Sequence, residues 1–151
     1  MAYRDFLLAS HLEIMNKIYS IYIQYIMNHL QKTFLLFLIG CIGVRFLFVI
    51  IAMYISTKYL KYLGYVALLP AIGFMYIYLT GARKSHVGAF GEKIWWQNLR
   101  PVHSILYFLF AYNAIIGNKQ AWIYLLVDVL IGLFSFLIHH YVNGDFKRIG
   151  F

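Results

Sequence analysis

The stretch FLLFLIGCIGVRFLFVIIAMYI, Phe34 to Ile55, carries an arginine, Arg45, in the middle of an otherwise apolar run long enough to cross a bilayer. A guanidinium at that depth is penalised by about 2.5–3.5 kcal/mol even on lenient insertion scales, so it demands a partner. One acid sits inside a comparable run, Asp128 in AWIYLLVDVLIGLFSFLIHH, and one amide, Asn113, in a third. A carboxylate can take the planar guanidinium fork through two parallel hydrogen bonds, and Asn113 would add a donor and an acceptor. The expected chemistry is an intramembrane polar layer of Arg45, Asn113 and Asp128. It reads either as a fastener fixing the register of two helices or as part of a path for an ion, proton or ligand. The absence of a second acid in the spans argues against a proton relay.

Two histidines, His103 and His139, fall at the inner ends of two apolar runs, a geometry that would let them ligate a haem or a metal between helices; ordinary interfacial side chains are the plainer reading. No metal or cofactor is expected. The segment FGEKIWWQNLRPVH, Phe90 to His103, places Lys93, Trp95, Trp96 and Arg100 together, a set suited to a short interfacial helix at 91–99 touching lipid headgroups or a partner. Glu92 is its one acid-base candidate and has no partner at catalytic spacing. A single cysteine, Cys41, excludes an internal disulfide and paired-thiol chemistry. No GxxxxGK[ST], GxGxxG, HExxH or GxSxG occurs, and no span carries an interior lysine, which removes NTPases, zincins, serine hydrolases and retinal proteins. No catalytic residue is assigned and enzymatic activity is not expected.

The elements that must position these residues follow from composition. Of 151 residues, 63% are hydrophobic and 12% charged, with a mean hydropathy of +0.72, far more apolar than a soluble domain of this length needs. Four blocks suit membrane helices, about 33–56, 60–80, 101–117 and 121–141, the third somewhat short. None alternates as a barrel strand would. Ahead of them, residues 1–32 carry Ser10, Glu13, Lys17, Ser20, Gln24, Asn28 and Gln31 every three or four positions, opposite a wide apolar arc. Such a helix is expected to lie in the headgroup plane rather than cross it. The expectation is thus an all-α integral membrane protein, a four-helix transmembrane bundle with an N-terminal interfacial amphipathic helix. Pro70 should bend the second span. Residues 1–32 do not read as a removable signal peptide, and either Met1 or Met15 serves as a start.

Charge sets the orientation. Arg4, Lys17, Lys32, Arg83, Lys84, Lys93, Arg100, Lys147 and Arg148 share one side of this topology, against Lys58, Lys61 and Lys119 on the other. The positive-inside rule then puts both termini on the cytoplasmic or equivalent inner face. From that face Arg45, Asn113 and Asp128 each lie 12 residues in, about 18 Å at 1.5 Å per residue, which is why one layer is expected.

The stretch GEKIWWQNLRPVHSILYFLFAYNAI and the later AWIYLLVDVLIGLFSFLIHH, within the last 70 residues or so, resemble small multi-spanning proteins of unknown activity encoded by large DNA viruses of algae and protists. The resemblance rests on no active-site motif, so it transfers no residue roles. It implies a viral membrane protein, in a virion or host membrane, lying under a capsid. Together with the formal charge of +8, spread in ones and twos rather than as a nucleic-acid stripe, this gives the expected role. That role is structural or interaction-based: a basic inner face turned to anionic headgroups or a membrane or capsid protein, with self-association. A small ion or proton channel or transporter built on the polar layer is the alternative.

Overall fold

The structure is a computed structural model, and it describes residues 2–82 and 94–149. Every regular element among them is helical. Helix α1 (Ala2–Leu36) passes without a break through a π-helical segment (Phe37–Gly43) into α2 (Val44–Tyr54). Two extended residues, Ile55 and Ser56, turn the chain into α3 (Thr57–Thr80), which ends at Gly81 in the left-handed region. A single turn at Gln97–Leu99 leads into α4 (Arg100–Ile115), with Pro101 in its first turn, where a missing N–H is harmless. A second turn at Lys119–Ala121 opens α5 (Trp122–Val142), and the short α6 (Asp145–Ile149) follows.

Among the described residues, three helical stretches are long and apolar enough to cross a membrane: His11–Tyr54, Thr57–Thr80 and Lys119–Val142. The sequence reading expected four. The block at 101–117 forms α4, whose 16 residues rise only about 24 Å, and Arg100, His103 and Ser104 fill its first turns with buried polar groups. The expected boundary at residue 32 also finds no counterpart. Helix α1 runs through it, and the first irregularity is the π segment, where Gly40 and Gly43 leave the widened turn uncrowded.

Packing does not follow chain order. Helices α2 and α3, joined by two residues, pack mainly on other partners: α3 lies along α4, α4 along α5, and α5 along α2. The closest seam is α3 on α4. Gly64, Ala67 and Ala71 form a small-residue stripe on α3 opposite Ser104, Ala111 and Ala114, and a Cβ at Gly64 would stand 3.0 Å from the Ala111 carbonyl oxygen. Without a hydrophobic drive between helices in lipid, such close backbone approach supplies the attraction. Ser104 Oγ adds a 2.6 Å hydrogen bond to the Ala71 carbonyl across the seam. Helix α3 continues through Pro70, with no break at the expected bend. Val49, Leu60, Phe110, Leu125 and Val129 complete the buried core. By contrast, Leu12, Ile14, Ile18, Tyr22 and Tyr25 in the first half of α1 all remain exposed.

Candidate functional site

Helix α2 sends Arg45 inward at the level where α5 presents Asp128 and α4 begins. Arg45 Nη1 donates to Asp128 Oδ2 at 3.2 Å, and the other carboxylate oxygen lies 2.5 Å from His103 Nδ1. Asp128 is only 1% exposed, whereas the Arg45 side chain is 21% exposed. Gly132, one turn beyond Asp128, makes room for the cluster: a Cβ there would lie 3.6 Å from Arg45 Nη1 and 3.7 Å from His103 Cε1. Phe74 of α3 covers the guanidinium face, its ring centre 5.6 Å from Cζ.

The hydrogen-bond pattern fixes the histidine tautomer. Arg45 Nη1 also approaches His103 Nδ1 at 3.3 Å, and an arginine nitrogen can only donate. The short contact to Oδ1 assigns the Nδ1 proton to the carboxylate bond, so the approach of Arg45 to His103 is one of two donors held by a shared acceptor. A neutral imidazole held this way keeps its lone pair on Nε2. One carboxylate therefore satisfies a guanidinium and orients an imidazole.

Asn113 takes no part in this layer. Its Nδ2 donates to the Leu109 carbonyl at 2.8 Å and its Oδ1 accepts from Asn118 Nδ2 at 3.0 Å, at the far end of α4. The depth argument placed Pro101 at the inner surface. In the structure the first turn of α4 is level with Arg45 and Asp128, so ten residues, about 15 Å, separate His103 from Asn113. His103 takes the place that the sequence reading gave to Asn113. The signal was available: the apolar run after His103 is too short to reach across, so its polar head must sit deep.

His103 and His139 do not converge on a shared centre. His139 lies seven residues beyond Gly132, about 10 Å along the helix. It accepts from Asn143 Nδ2 at 3.0 Å and stacks on Trp95 with ring centres 4.4 Å apart and planes 9° from parallel. No group of three His, Cys, Asp or Glu side chains arranged to hold a metal occurs among the described residues.

The expected interfacial set divides. Lys93, Glu92 and the first three residues of the expected helix at 91–99 lie outside the described residues, and of the other six only Gln97–Leu99 form a helical turn. Trp95 and Trp96 pack inward, near Phe37, rather than standing out from the helices. Arg100, expected at a headgroup surface, is 5% exposed. It lines a cavity of about 300 Å³ with Arg45, His103, Trp95 and Trp96. A second cavity of about 390 Å³ runs between α2 and α3, lined by Val44, Phe48, Leu63, Val66, Leu69 and Phe110 among others. Cys41 and Arg45 belong to both.

Beyond these cavities, His140 is buried against Phe34 and Phe136 with its Nδ1 2.8 Å from Asp145 Oδ2, which ties α6 back onto α5. Its Nε2 has no hydrogen-bond partner among the described residues. No protein family, curated protein or solved structure matches this chain.

Proposed function

We propose that the chain is a small polytopic membrane protein with a structural or interaction role, in which α2, α3, α4 and α5 act together as a four-helix bundle. The observation that carries this reading is the first half of α1. The stretch His11–Tyr54 contains 44 residues, about 66 Å of helix against a hydrocarbon core of roughly 30 Å, and Leu12 to Tyr25 are exposed on every side. A water-exposed rod of that composition is not a resting state for an isolated chain. Its polar stripe through Glu13, Lys17, Ser20 and Gln24 suits the headgroup layer, with both termini and the basic side of the protein facing anionic lipid, a second copy or a capsid protein. The viral setting comes from the resemblance of the last 70 residues alone.

In this reading the Arg45–Asp128–His103 cluster is a fastener between α2, α4 and α5. Native mass measurement in lipid nanodiscs tests the role. The expected result is an oligomer, with zero-length or photochemical cross-links through Tyr19 or Tyr22 in a partner or second copy. A lone monomer that recovers nothing from its membrane would overturn it.

The position of Arg45 between two cavities favours one second reading, a conduction path through the cluster. It predicts ion or proton flux in proteoliposomes that changes in Arg45→Gln. Flux no greater than in protein-free liposomes would remove it.

A further inference from the structure

We infer that the cavity at the start of α4 is a binding site for the ring of an uncharged, membrane-soluble phenol. The phenolic O–H donates to His103 Nε2, its oxygen accepts from Arg45, and the ring lies among Phe37, Phe74, Trp95 and Trp96. Fastening α2, α4 and α5 together uses one nitrogen of the imidazole and one of the guanidinium, and leaves the rest of both groups in a cavity wall.

The histidine sets the first requirement. His103 is 5% exposed, and its Nδ1 carries a proton committed to Asp128, which leaves a lone pair on Nε2 with no hydrogen-bond partner among the described residues. That nitrogen is not sealed in protein as His140 Nε2 is, because His103 forms part of the wall of the cavity of about 300 Å³. Gly132 lines the same cavity beside it, and even a Cβ there would stand 3.7 Å from His103 Cε1, the atom next to Nε2. At this depth in hydrocarbon an unmet acceptor is costly, so a ligand that brings a donor gains affinity by meeting it.

A hydroxyl fits both members of the cluster at once. It has one proton to give and two lone pairs to offer. The hydrogen bonds of Arg45 among the described residues all leave from Nη1, and its side chain lines the same cavity, so its other N–H groups meet the hydroxyl oxygen. A carboxylate head would set its own lone pairs against that of Nε2. An ammonium head would donate, but beside the Arg45 guanidinium, whose compensating acid Asp128 stands outside the lining. The head is therefore uncharged.

The walls select an aromatic body. Trp95 and Trp96 meet edge to face at 88° with ring centres 5.5 Å apart, Phe37 lies 6.4 Å from each, and Phe74 completes the aromatic lining. Such rings attract another ring beyond simple area burial, and a phenol keeps its proton at neutral pH. The volume is at the small end of the roughly 300–1,000 Å³ range of ligand sites, which suits one substituted ring. Cys41 and Arg45 also line the second cavity, whose other walls include Val44, Phe48, Leu63, Val66 and Leu69. Val66 and Leu69 are 54% and 72% exposed, so an alkyl tail on the ring leaves between α2 and α3 toward the bilayer.

The site needs the chain embedded in lipid, as proposed above, but not its self-association. The probe is 4-dodecylphenol with a diazirine in its alkyl chain, photolysed with the full chain in phosphatidylcholine nanodiscs and mapped by mass spectrometry. The expected result is saturable labelling within 44–48 and 63–69, displaced by plain 4-dodecylphenol. The methyl ether of that competitor keeps ring and oxygen but has no proton for His103, and should displace about tenfold less well, the worth of one hydrogen bond. The matching 4-dodecylcyclohexanol has the proton but no π-face, and should also be weaker. In nitrogen-15 spectra of histidine-labelled samples, the His103 Nε2 signal, assigned by its loss in His103→Gln, should move upfield with the phenol and stay in place with the ether. His103→Gln disturbs Asp128, so affinity is compared in Trp96→Leu, which removes one wall ring and leaves the Arg45–Asp128–His103 cluster intact. Binding there should weaken roughly 2–12-fold, the worth of one aromatic contact.

Equal displacement by phenol and ether, with an unmoved Nε2 signal, would overturn the bond to His103. Equal displacement by phenol and cyclohexanol, with wild-type affinity in Trp96→Leu, would overturn the aromatic selection. Labelling that rises only linearly, or that falls on α1, would overturn the site. The native mass of the same nanodiscs separates the two readings: a monomer that binds the phenol sinks self-association alone, and an oligomer that does not bind it sinks this inference alone.

Discussion

Arg45 and His103 stand 3.3 Å apart with two donor nitrogens facing each other, and only the carboxylate of Asp128, which accepts from both, holds them there. Remove that acceptor and the Arg45 guanidinium loses its counter-charge in a low-dielectric setting, while His103 loses the bond that orients its ring. The cluster therefore behaves as a unit, and its members should show strongly non-additive effects.

Asp128→Asn is expected to destabilise the folded chain by an amount at the low end of the roughly 3–5 kcal/mol seen when a buried ion pair loses one partner, because Arg45 is partly exposed and keeps some solvation. The double variant Arg45→Gln/Asp128→Asn should be less damaging than the sum of the two single changes. Unfolding in mixed micelles of all four proteins closes the cycle. Additive values would show that the pair carries no coupling.

The seam between α3 and α4 makes a paired prediction on two glycines of the same helix. Alanine is favoured over glycine in a helix by about 1 kcal/mol, so at Gly73, where an added Cβ meets nothing within 4 Å, Gly73→Ala should stabilise by up to that amount. At Gly64 the same change meets the Ala111 carbonyl oxygen and the Ala114 Cβ, both at 3.0 Å. Overpacking of this kind costs about 1–3 kcal/mol and should outweigh the propensity gain. Opposite signs in a thermal melt are the expected outcome.

Ser104→Ala tests how much of the same seam is hydrogen bonding. The hydroxyl bond to Ala71 is short and buried, yet interhelical bonds in membranes average only about 0.6 kcal/mol. The loss should be well below that from Gly64→Leu. A larger effect from the serine would mean that polar contact, not close packing, holds α3 to α4.

At the other end, Asp145→Ala should free α6 and cost about 1–3 kcal/mol, since it leaves His140 buried among Phe34, Phe136 and Trp95 with no partner on either ring nitrogen. Hydrogen exchange across 145–149 should rise. The double change His140→Phe/Asp145→Ala, which removes both polar groups, should recover most of the stability lost.

Much of the helix layout is legible in the sequence, because membrane helices are read from one property, apolar length, over about 20 residues. The runs containing Pro70 and Asp128 each form a helix close to the expected bounds, and the run containing Arg45 ends near its expected bound but begins far earlier, in α1. The block at 101–117 misleads because its apolar length begins after Ser104 while its helix begins at Arg100. Depth arithmetic brings Arg45 and Asp128 to one level, and they meet; it brings Asn113 to that level too, and Asn113 is elsewhere. A level along the membrane normal is a single coordinate, and the arithmetic depends on where each helix starts. The aromatic packing of Trp95 on His139 and the burial of Arg100 have no periodic signature, since they depend on how a non-helical segment folds back over its neighbours. The small-residue stripe of Gly64, Ala67 and Ala71 does have one, at helical spacing.

The ion pair joins residues 83 positions apart. At a synthesis rate of about 5–20 residues per second, the ribosome releases the guanidinium roughly 4–17 seconds before the carboxylate that will neutralise it exists. Throughout that interval the newborn first hairpin holds an orphan cation, and something outside the chain, an insertase groove, a water defect or a lipid phosphate, has to shelter it. Biogenesis of this small protein thus begins with a debt to its surroundings that only its last long helix discharges.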